Sequence, residues 1–341
     1  MKIETWAWGL LMLLLGGCIE ELELPTEARD PVLVMEGFIT PEHSYVDLSF
    51  ISNSNLVSQP ISGAEVRIVN SAGNAWVGTE TEPGHYEIST QGLVEPGQAY
   101  LAEAVLPNGE SYRSSPDTVP AGIASDEVDW RLGQNRGRRV MRVFSRPFFP
   151  ESPAALRSLW RITDAYVQTP TDFPDPFNDL PPNCYIEQQP DLQRIPLLDG
   201  SPFAGQQVER VVVGEIFLDP TFDEKHVISV EQYSLSAPSY AYWVKAAQLL
   251  AQRGSLFDTP PALLPGNVSG EQLGTREARG YVSAALYQVT RFAVYPSDLP
   301  GTFLDPCEYQ PGRRYYPNEC TRCIALRGSS FDPPDYFFDV R

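Results

Sequence analysis

The amino-acid sequence predicts a mainly β protein, and three observations carry that expectation. Proline (32) and glycine (25) are abundant beside 16 tyrosines and 16 phenylalanines, which is the composition of short strands joined by many turns. From Pro31 onward, short runs of alternating apolar and polar residues recur between clusters of Gly, Pro, Asn and Asp. One segment alone, 236–254, combines a helical apolar period with helix start and stop signals.

In the first part of the chain, strands are expected at 32–39, 45–51, 64–69, 75–81, 85–89, 99–106 and 110–114. In 64–69, Val66 and Ile68 fall on one side and Glu65 and Arg67 on the other, the period of a half-buried strand. Turns are expected at Ser71-Ala72-Gly73-Asn74, Glu82-Pro83-Gly84 and Pro96-Gly97. Asn108-Gly109 predicts a type I′ hairpin, with both central residues at positive φ. About seven short strands in about 90 residues describe an immunoglobulin-like β-sandwich over residues 31–119. The Cys…Trp…Cys arrangement of antibody domains is missing, so only the architecture is implied. Residues 116–121 read as a linker.

Residues 120–341 form the expected second part, a larger β-rich domain with one prominent helix. Its strands are expected at 128–132, 140–144, 159–168, 208–218 and 227–235, with two more within 280–294. Trp160, Ile162 and Tyr166 share one face of 159–168, with Asp164 between them. Ser236 or Ser239 is placed to cap the helix, Pro238 suits its first turn, and Gly254 ends it. Tyr240, Trp243, Ala247 and Leu250 make an apolar stripe that is expected to pack on a sheet. The prolines of 169–182 forbid a regular element and predict an exposed loop, and 255–270 is a second loop. The tail, 306–341, is rich in cysteine, proline and aromatic residues.

The start of the chain reads as an export signal. Lys2 precedes an apolar run that ends in Leu15-Gly16-Gly17-Cys18. The run is shorter than the roughly 20 residues a spanning helix needs, and its length suits a secretory signal. Two small residues before a cysteine mark lipoprotein cleavage, so residues 1–17 are expected to be removed and Cys18 to carry lipid. Residues 18–30 then form an acidic tether. Four cysteines remain: Cys184, Cys307, Cys320 and Cys323. An even number outside the reducing cytoplasm predicts two disulfides, with three possible pairings. A zinc site or a redox pair on Cys320 and Cys323 is the rival reading. It lacks the second close cysteine pair of a zinc site and the βαβ setting of a redox motif.

Formal charge is −19, from 44 acidic and 25 basic residues, and the only lysines are Lys2, Lys225 and Lys245. That balance argues against nucleic acid and against docking on anionic headgroups, leaving membrane association to the lipid. No phosphate loop, dinucleotide fingerprint, nucleophile elbow or paired-histidine metal motif occurs. His43, His85 and His226 are isolated in sequence. No catalytic residue, metal or cofactor is therefore expected. Asp172, Asp175 and Asp179 match no calcium motif and read as a solvated loop. Phe173, Phe177 and Tyr185, in or beside that loop, are the candidate recognition surface. Asn267-Val268-Ser269 matches a glycosylation sequon by chance.

Several segments together resemble one family. They are Val34-Met35-Glu36-Gly37-Phe38-Ile39-Thr40, Ser62-Gly63-Ala64-Glu65-Val66, Pro83-Gly84-His85-Tyr86, residues 107–114, residues 254–262, Gly266-Asn267-Val268, Gly280-Tyr281-Val282 and the late Cys320/Cys323 pair. In this order they resemble domain-of-unknown-function family 4249 over nearly the whole mature chain. The resemblance implies an outer-membrane lipoprotein, often encoded beside a TonB-dependent transporter, with no established catalytic residues. It also implies that Glu20, Glu21 and Glu23, just after the lipidated cysteine, direct the protein to the cell exterior. The expected function is a non-enzymatic accessory or substrate-binding partner of such a transporter. The alternatives are an envelope hydrolase with an unrecognised site, marked by a pocket holding carboxylates of shifted pKa, and a structural or adhesive surface module.

Overall fold

The computed structural model describes residues 31–52, 58–151, 156–169, 183–191, 194–251, 264–272, 274–301, 303, 307–308, 310–312, 320, 323–326 and 328–340. The first part holds β1 (Val32–Ile39), β2 (Ser44–Ile51), β3 (Ser58–Pro60), β4 (Glu65–Asn70), β5 (Ala75–Val77), β6 (Thr79–Glu82), β7 (His85–Ile88), β8 (Ala99–Val105), β9 (Ser111–Ser114) and β10 (Asp117–Thr118). The second holds β11 (Val128–Asn135), β12 (Arg138–Ser145), β13 (Phe148–Phe149), β14 (Arg157–Gln168), β15 (Cys184–Gln188), β16 (Leu197–Asp199), β17 (Gln206–Gln207), β18 (Val211–Phe217) and β19 (His226–Leu235). Helix α1 (Ala237–Ala251) follows, then β20 (Val268–Gly270), β21 (Ala278–Arg279), β22 (Val282–Val294) and β23 (Ser329–Ser330). The protein is mainly β, as its composition predicts, with α1 the one α-helix among the described residues.

One large sheet runs through both parts in the order β23-β15-β14-β19-β22-β1-β2-β7-β6. Its join is the parallel pairing of β1 with β22, Gly37 opposite Val282 and Ile39 opposite Ala284. A second sheet, β20-β9-β8-β4-β5, covers the β1–β2 end, and a third, β11-β12-β18, covers the β14–β19 end. The first core gathers Leu33, Met35, Val46, Val66, Ile68, Tyr86, Tyr100 and Tyr112, with Val268, Val282 and Ala284 from late in the chain. The second gathers Met141, Val143, Trp160, Ile162, Val213, Ile228, Val230 and Val294. Residues 31–119 thus do not close a sandwich alone; β20, β21 and the start of β22 complete it.

Several local expectations change: the strand expected at 75–81 is two, β5 in the second sheet and β6 in the large one, and the loop expected at 255–270 ends in β20. Within 280–294 there is one strand, β22 (Val282–Val294), whose even-numbered residues stay on one face throughout, from Val282 in the first core to Val294 in the second. Residues 116–121 are no linker: β10 pairs with β8, and Asp117 is buried. Asn108-Gly109 is not type I′, since only Gly109 has positive φ. Leu106 accepts from Gly109 and donates to Glu110, the bonding of a type I turn closed by a glycine bulge. The two-residue turn with both φ positive is Arg136-Gly137, joining β11 to β12.

Side chains fasten the join. Asp117 Oδ1 accepts from Ser236 Oγ at 2.5 Å and from Thr118 N at 3.0 Å, and its Oδ2 accepts from Ala284 N at 3.0 Å. Ser236 also receives the Ser239 N–H, so it is the N-cap of α1. One carboxylate therefore ties β10, β22 and the helix start. Asn267 acts like a strand residue: its Oδ1 accepts the Val282 N–H and its Nδ2 donates to the Val282 carbonyl, each at 3.0 Å. Backbones meet closely here. A Cβ on Gly266 would lie 1.6 Å from the Gly280 oxygen, and Gly280 itself has φ +98°. The cysteines pair as Cys184–Cys323 and Cys307–Cys320, so Cys320 and Cys323 belong to different bridges, and the zinc and redox readings of that pair fall away.

Replacing Asp117 with alanine leaves buried donors on β22 and on the helix cap without an acceptor. The expected loss is about 2–4 kcal/mol in chemical denaturation, because each buried unsatisfied group costs about 1–3 kcal/mol. A loss below about 1 kcal/mol, the level of an ordinary substitution, would show that the carboxylate does not hold the join.

Candidate binding cleft

The face of the large sheet that points away from both cores carries the candidate site. Strand alternation puts Leu159, Arg161 and Thr163 of β14, Glu231 and Tyr233 of β19, and Tyr287 of β22 on this face. Glu36 and Phe38 of β1, Tyr45 and Asp47 of β2, and His85 of β7 continue it. The sheet curls enough for Arg161 to reach Phe38 and Tyr45, several strands away. Helix α1 adds Trp243 and Leu250, and Glu187, Gln189, Asp191, Arg194, Ile195 and Pro196 form another wall, lining a cleft of about 570 Å³. The stripe of α1 packs on a sheet as predicted, with Tyr240 and Trp243 against the Phe38–Tyr233 cluster.

Arg161 lies in this cleft against a shelf of rings. Its guanidinium carbon is 4.7 Å from the Phe38 centroid, 5.5 Å from Trp243 and 5.7 Å from Tyr233. Its Nη1 donates to the Tyr45 hydroxyl. Tyr233 Oη donates to Glu231 at 3.0 Å, and Tyr242 Oη donates to Glu36 at 3.2 Å. Arg161, Glu231 and Glu36 thus each hold a tyrosine hydroxyl, and among the described residues none lies within 4.0 Å of an opposite charge. Of the other charged groups that line the cleft, Asp47 meets His85 at 2.6 Å and Asp191 meets Arg194 at 3.6 Å, while Glu187 accepts from the Tyr336 hydroxyl at 2.6 Å and has no cation within 4.0 Å among the described residues.

Burial raises the pKa of Glu36 and of Glu231, outweighing their tyrosine hydrogen bonds and the Arg161 charge, which lower it. Burial also raises Tyr45 and Tyr233, so both phenols stay neutral. A second cavity of about 550 Å³ adjoins the cleft, sharing Gln189, Asp191 and Arg194.

His226 is placed differently. Its Nδ1 lies 2.8 Å from Asp164 Oδ1 and its Nε2 lies 3.0 Å from the Thr221 carbonyl, and the ring stacks on Phe222. Both nitrogens face acceptors inside the second core, so this pair pins β19 to β14 and offers no base to a hydroxyl nucleophile. Among the described residues no group of three or more His, Cys, Asp or Glu is arranged to hold a metal ion.

Of the residues singled out in sequence, Cys18, Glu20, Glu21, Glu23, Phe173 and Phe177 lie outside the described residues, as do 170–182 and 252–263. Tyr185 is half-buried on β15, edge-on to Phe337 at 5.2 Å, and does not line the cleft. Gln168 Nε2 donates to the sulfur of Cys307. Sequence reasoning missed Glu36, Arg161 and Glu231. Their signal was a charge near the middle of each of three core strands, alone in VLVMEGFI and accompanied by Arg157 and Asp164 in RSLWRITDAYVQ and by His226 in HVISVEQYSL.

The geometry defines a β-rich protein with a polar and aromatic cleft. Residues 19–291 match the family described as "Domain of unknown function (DUF4249)", and the chain belongs to that family. No protein of curated function matches the sequence. Among solved structures, a DUF4785 family protein from Legionella pneumophila is 10% identical with a TM-score of 0.18. That match covers 59% of this chain and 52% of the other, so the chain spans about half the length of that protein.

A carboxyl group whose pKa is higher in the folded chain binds protons more tightly there than when unfolded. Stability then falls as pH rises from the ordinary glutamate value of 4.5 through the raised one. Glu231→Gln removes that penalty and keeps an acceptor for Tyr233. The variant is expected to melt higher than the parent at pH 8, by roughly 2 °C, and at the parent's temperature at pH 4. A gain of equal size at both pH values would contradict the burial of this charge.

Proposed function

We propose that this protein is a non-enzymatic, lipid-anchored binding protein of the outer membrane that faces the cell exterior and serves a TonB-dependent transporter. The observation that carries the binding role is the cleft, in which a ring shelf and charged groups without ionic partners line a volume suited to a small ligand. The anchor rests on the Leu15-Gly16-Gly17-Cys18 sequence, and the outward orientation on Glu20, Glu21 and Glu23. The transporter partnership rests on the family. The lipid holds the chain at the membrane, and the acidic tether between Cys18 and β1 gives the cleft reach.

A second reading has one observation in its favour. Glu36 and Glu231 are two carboxyl groups of raised pKa in one cleft, which is the mark expected of a hydrolase. Binding is preferred because both carboxylates already accept a tyrosine hydroxyl.

Purification of the C-terminally tagged protein from native outer membrane in mild detergent, with mass spectrometry of what comes with it, separates the readings. Co-purification of a TonB-dependent transporter at about one-to-one stoichiometry, and intact ligand after prolonged incubation, are the expected results. Recovery of the chain alone would remove the partnership. Cleavage of the ligand, lost in Glu231→Gln, would establish the hydrolase. Cys18→Ser is expected to release the protein from the membrane fraction.

A further inference from the structure

The charges of the cleft define the chemistry of its ligand, and this inference rests on the binding reading above. Arg161 directs one N–H to Tyr45 and sits against the rings of Phe38, Trp243 and Tyr233. Its remaining N–H groups have no carboxylate within 4.0 Å among the described residues, although Glu231 is its register partner on the adjacent strand. A guanidinium on an aromatic shelf is a fork that receives a planar carboxylate through two parallel hydrogen bonds. Glu231 and Glu36 offer the reverse complement. Each accepts a single hydroxyl and has capacity for further donors.

The ligand classes separate by what each leaves uncompensated. A neutral ligand that fills the cleft removes water from the Arg161 cation and from the carboxylates of Glu36, Glu187 and Glu231 and pairs none of them, which is costly. A simple anion satisfies Arg161 and strips water from the glutamates. A simple cation does the reverse. A zwitterion meets both signs with charge-assisted bonds. The rings of Phe38, Tyr233, Tyr287 and Trp243 then provide apolar surface for the body between the charged ends.

We infer that the cleft binds an amino acid or short peptide, its free carboxylate on Arg161 and its free ammonium on the carboxylates of Glu231 and Glu36. A cavity of about 570 Å³ accommodates a ligand of that size. The raised pKa values of the two glutamates add a pH signature: affinity is expected to fall on acidification at a pH above that of an ordinary glutamate.

The test uses the full chain extracted in detergent. It is exposed to a mixture of random-sequence tripeptides, with bound species identified by mass spectrometry and affinities measured by calorimetry. Parallel mixtures are N-acetylated or C-amidated, and maltotriose is the neutral probe of similar size. Free tripeptides are expected to bind, and blocking either end is expected to weaken binding about 10- to 100-fold, the worth of a charge-assisted bond. Arg161→Met is expected to abolish the difference between free and amidated ends. Glu231→Gln with Glu36→Gln is expected to abolish the difference between free and acetylated ends. The melting curve of each variant checks that it folds.

Equal binding of free and blocked peptides would overturn the zwitterion. Binding of maltotriose without peptides would also overturn it, while leaving the binding role in place. If neither probe binds and the transporter is still recovered with the chain, the zwitterion fails and the partnership stands. If neither probe binds and no transporter is recovered, both fail.

Discussion

The alternation of β22 is the constraint on which the rest of the structure depends. A strand presents successive residues to opposite sides, so one strand running unbroken fixes two faces along its whole length. The even residues of β22 enter both cores, Val282, Ala284 and Leu286 at one end and Phe292 and Val294 at the other. Its odd residues, among them Ser283 and Tyr287, look the other way, toward α1 and the cleft. The opposite face is only partly covered, by α1 over Phe38 and Tyr233 and by Phe337 over Ala165 and Val227, and the curl of the sheet turns the rest into a concavity. A one-residue slip at the β1–β22 pairing would exchange the faces of β1 relative to β22 and turn Glu36 in among apolar side chains.

Between the cores the shared face changes character. Gln232 Nε2 donates to Ser158 Oγ, and Gln288 bonds to Gln232 and to the Ala124 carbonyl. This polar seam lies where neither covering sheet supplies a continuous apolar layer, and its groups satisfy one another, which keeps the cost of burying them low. Asp117 and Asn267 do the same for main-chain donors near the start of β22. The two halves are consequently joined through hydrogen bonds as much as through apolar contact, and the sandwich depends on residues far along the chain.

How much of this was legible in the sequence depended on how local each determinant is. The strand Val32–Ile39, the helix and the two disulfides followed from alternation, caps and cysteine count, all of which are short-range signals or compositional ones. The Asn108-Gly109 turn was misjudged because that dipeptide serves both a type I′ turn and the second half of a type I turn with a glycine bulge, and the registry of β8 with β9 decides between them. The segment around Asp117 looked like a linker because its proline and polar residues are described by composition, while its role lies in partners more than a hundred residues away. Arg161 was invisible for a related reason. On β14 it sits between Trp160 and Ile162, which draw attention to the core face, and only the curl of the sheet gathers rings from β1, β19 and α1 around it.

The treatment of charge on the two faces of the same sheet argues that the cleft is held open. On the core face, Asp164 and His226 are buried and meet at 2.8 Å, the economical arrangement for ionisable groups that must leave water. On the cleft face, Arg161 and Glu231 are direct cross-strand partners, a placement from which opposite charges ordinarily pair. They do not. Arg161 turns to Tyr45 and the ring shelf, and Glu231 takes the hydroxyl of Tyr233. Each tyrosine supplies one hydrogen bond and a rigid ring, enough to fix the charged group in place and too little to neutralise it. Burial then raises the proton affinity of Glu231 against the pull of Arg161. A protein optimised for stability alone would let this pair close, so the separation is a cost carried within the cleft, and it is the observation that supports the proposal of a ligand of complementary charge.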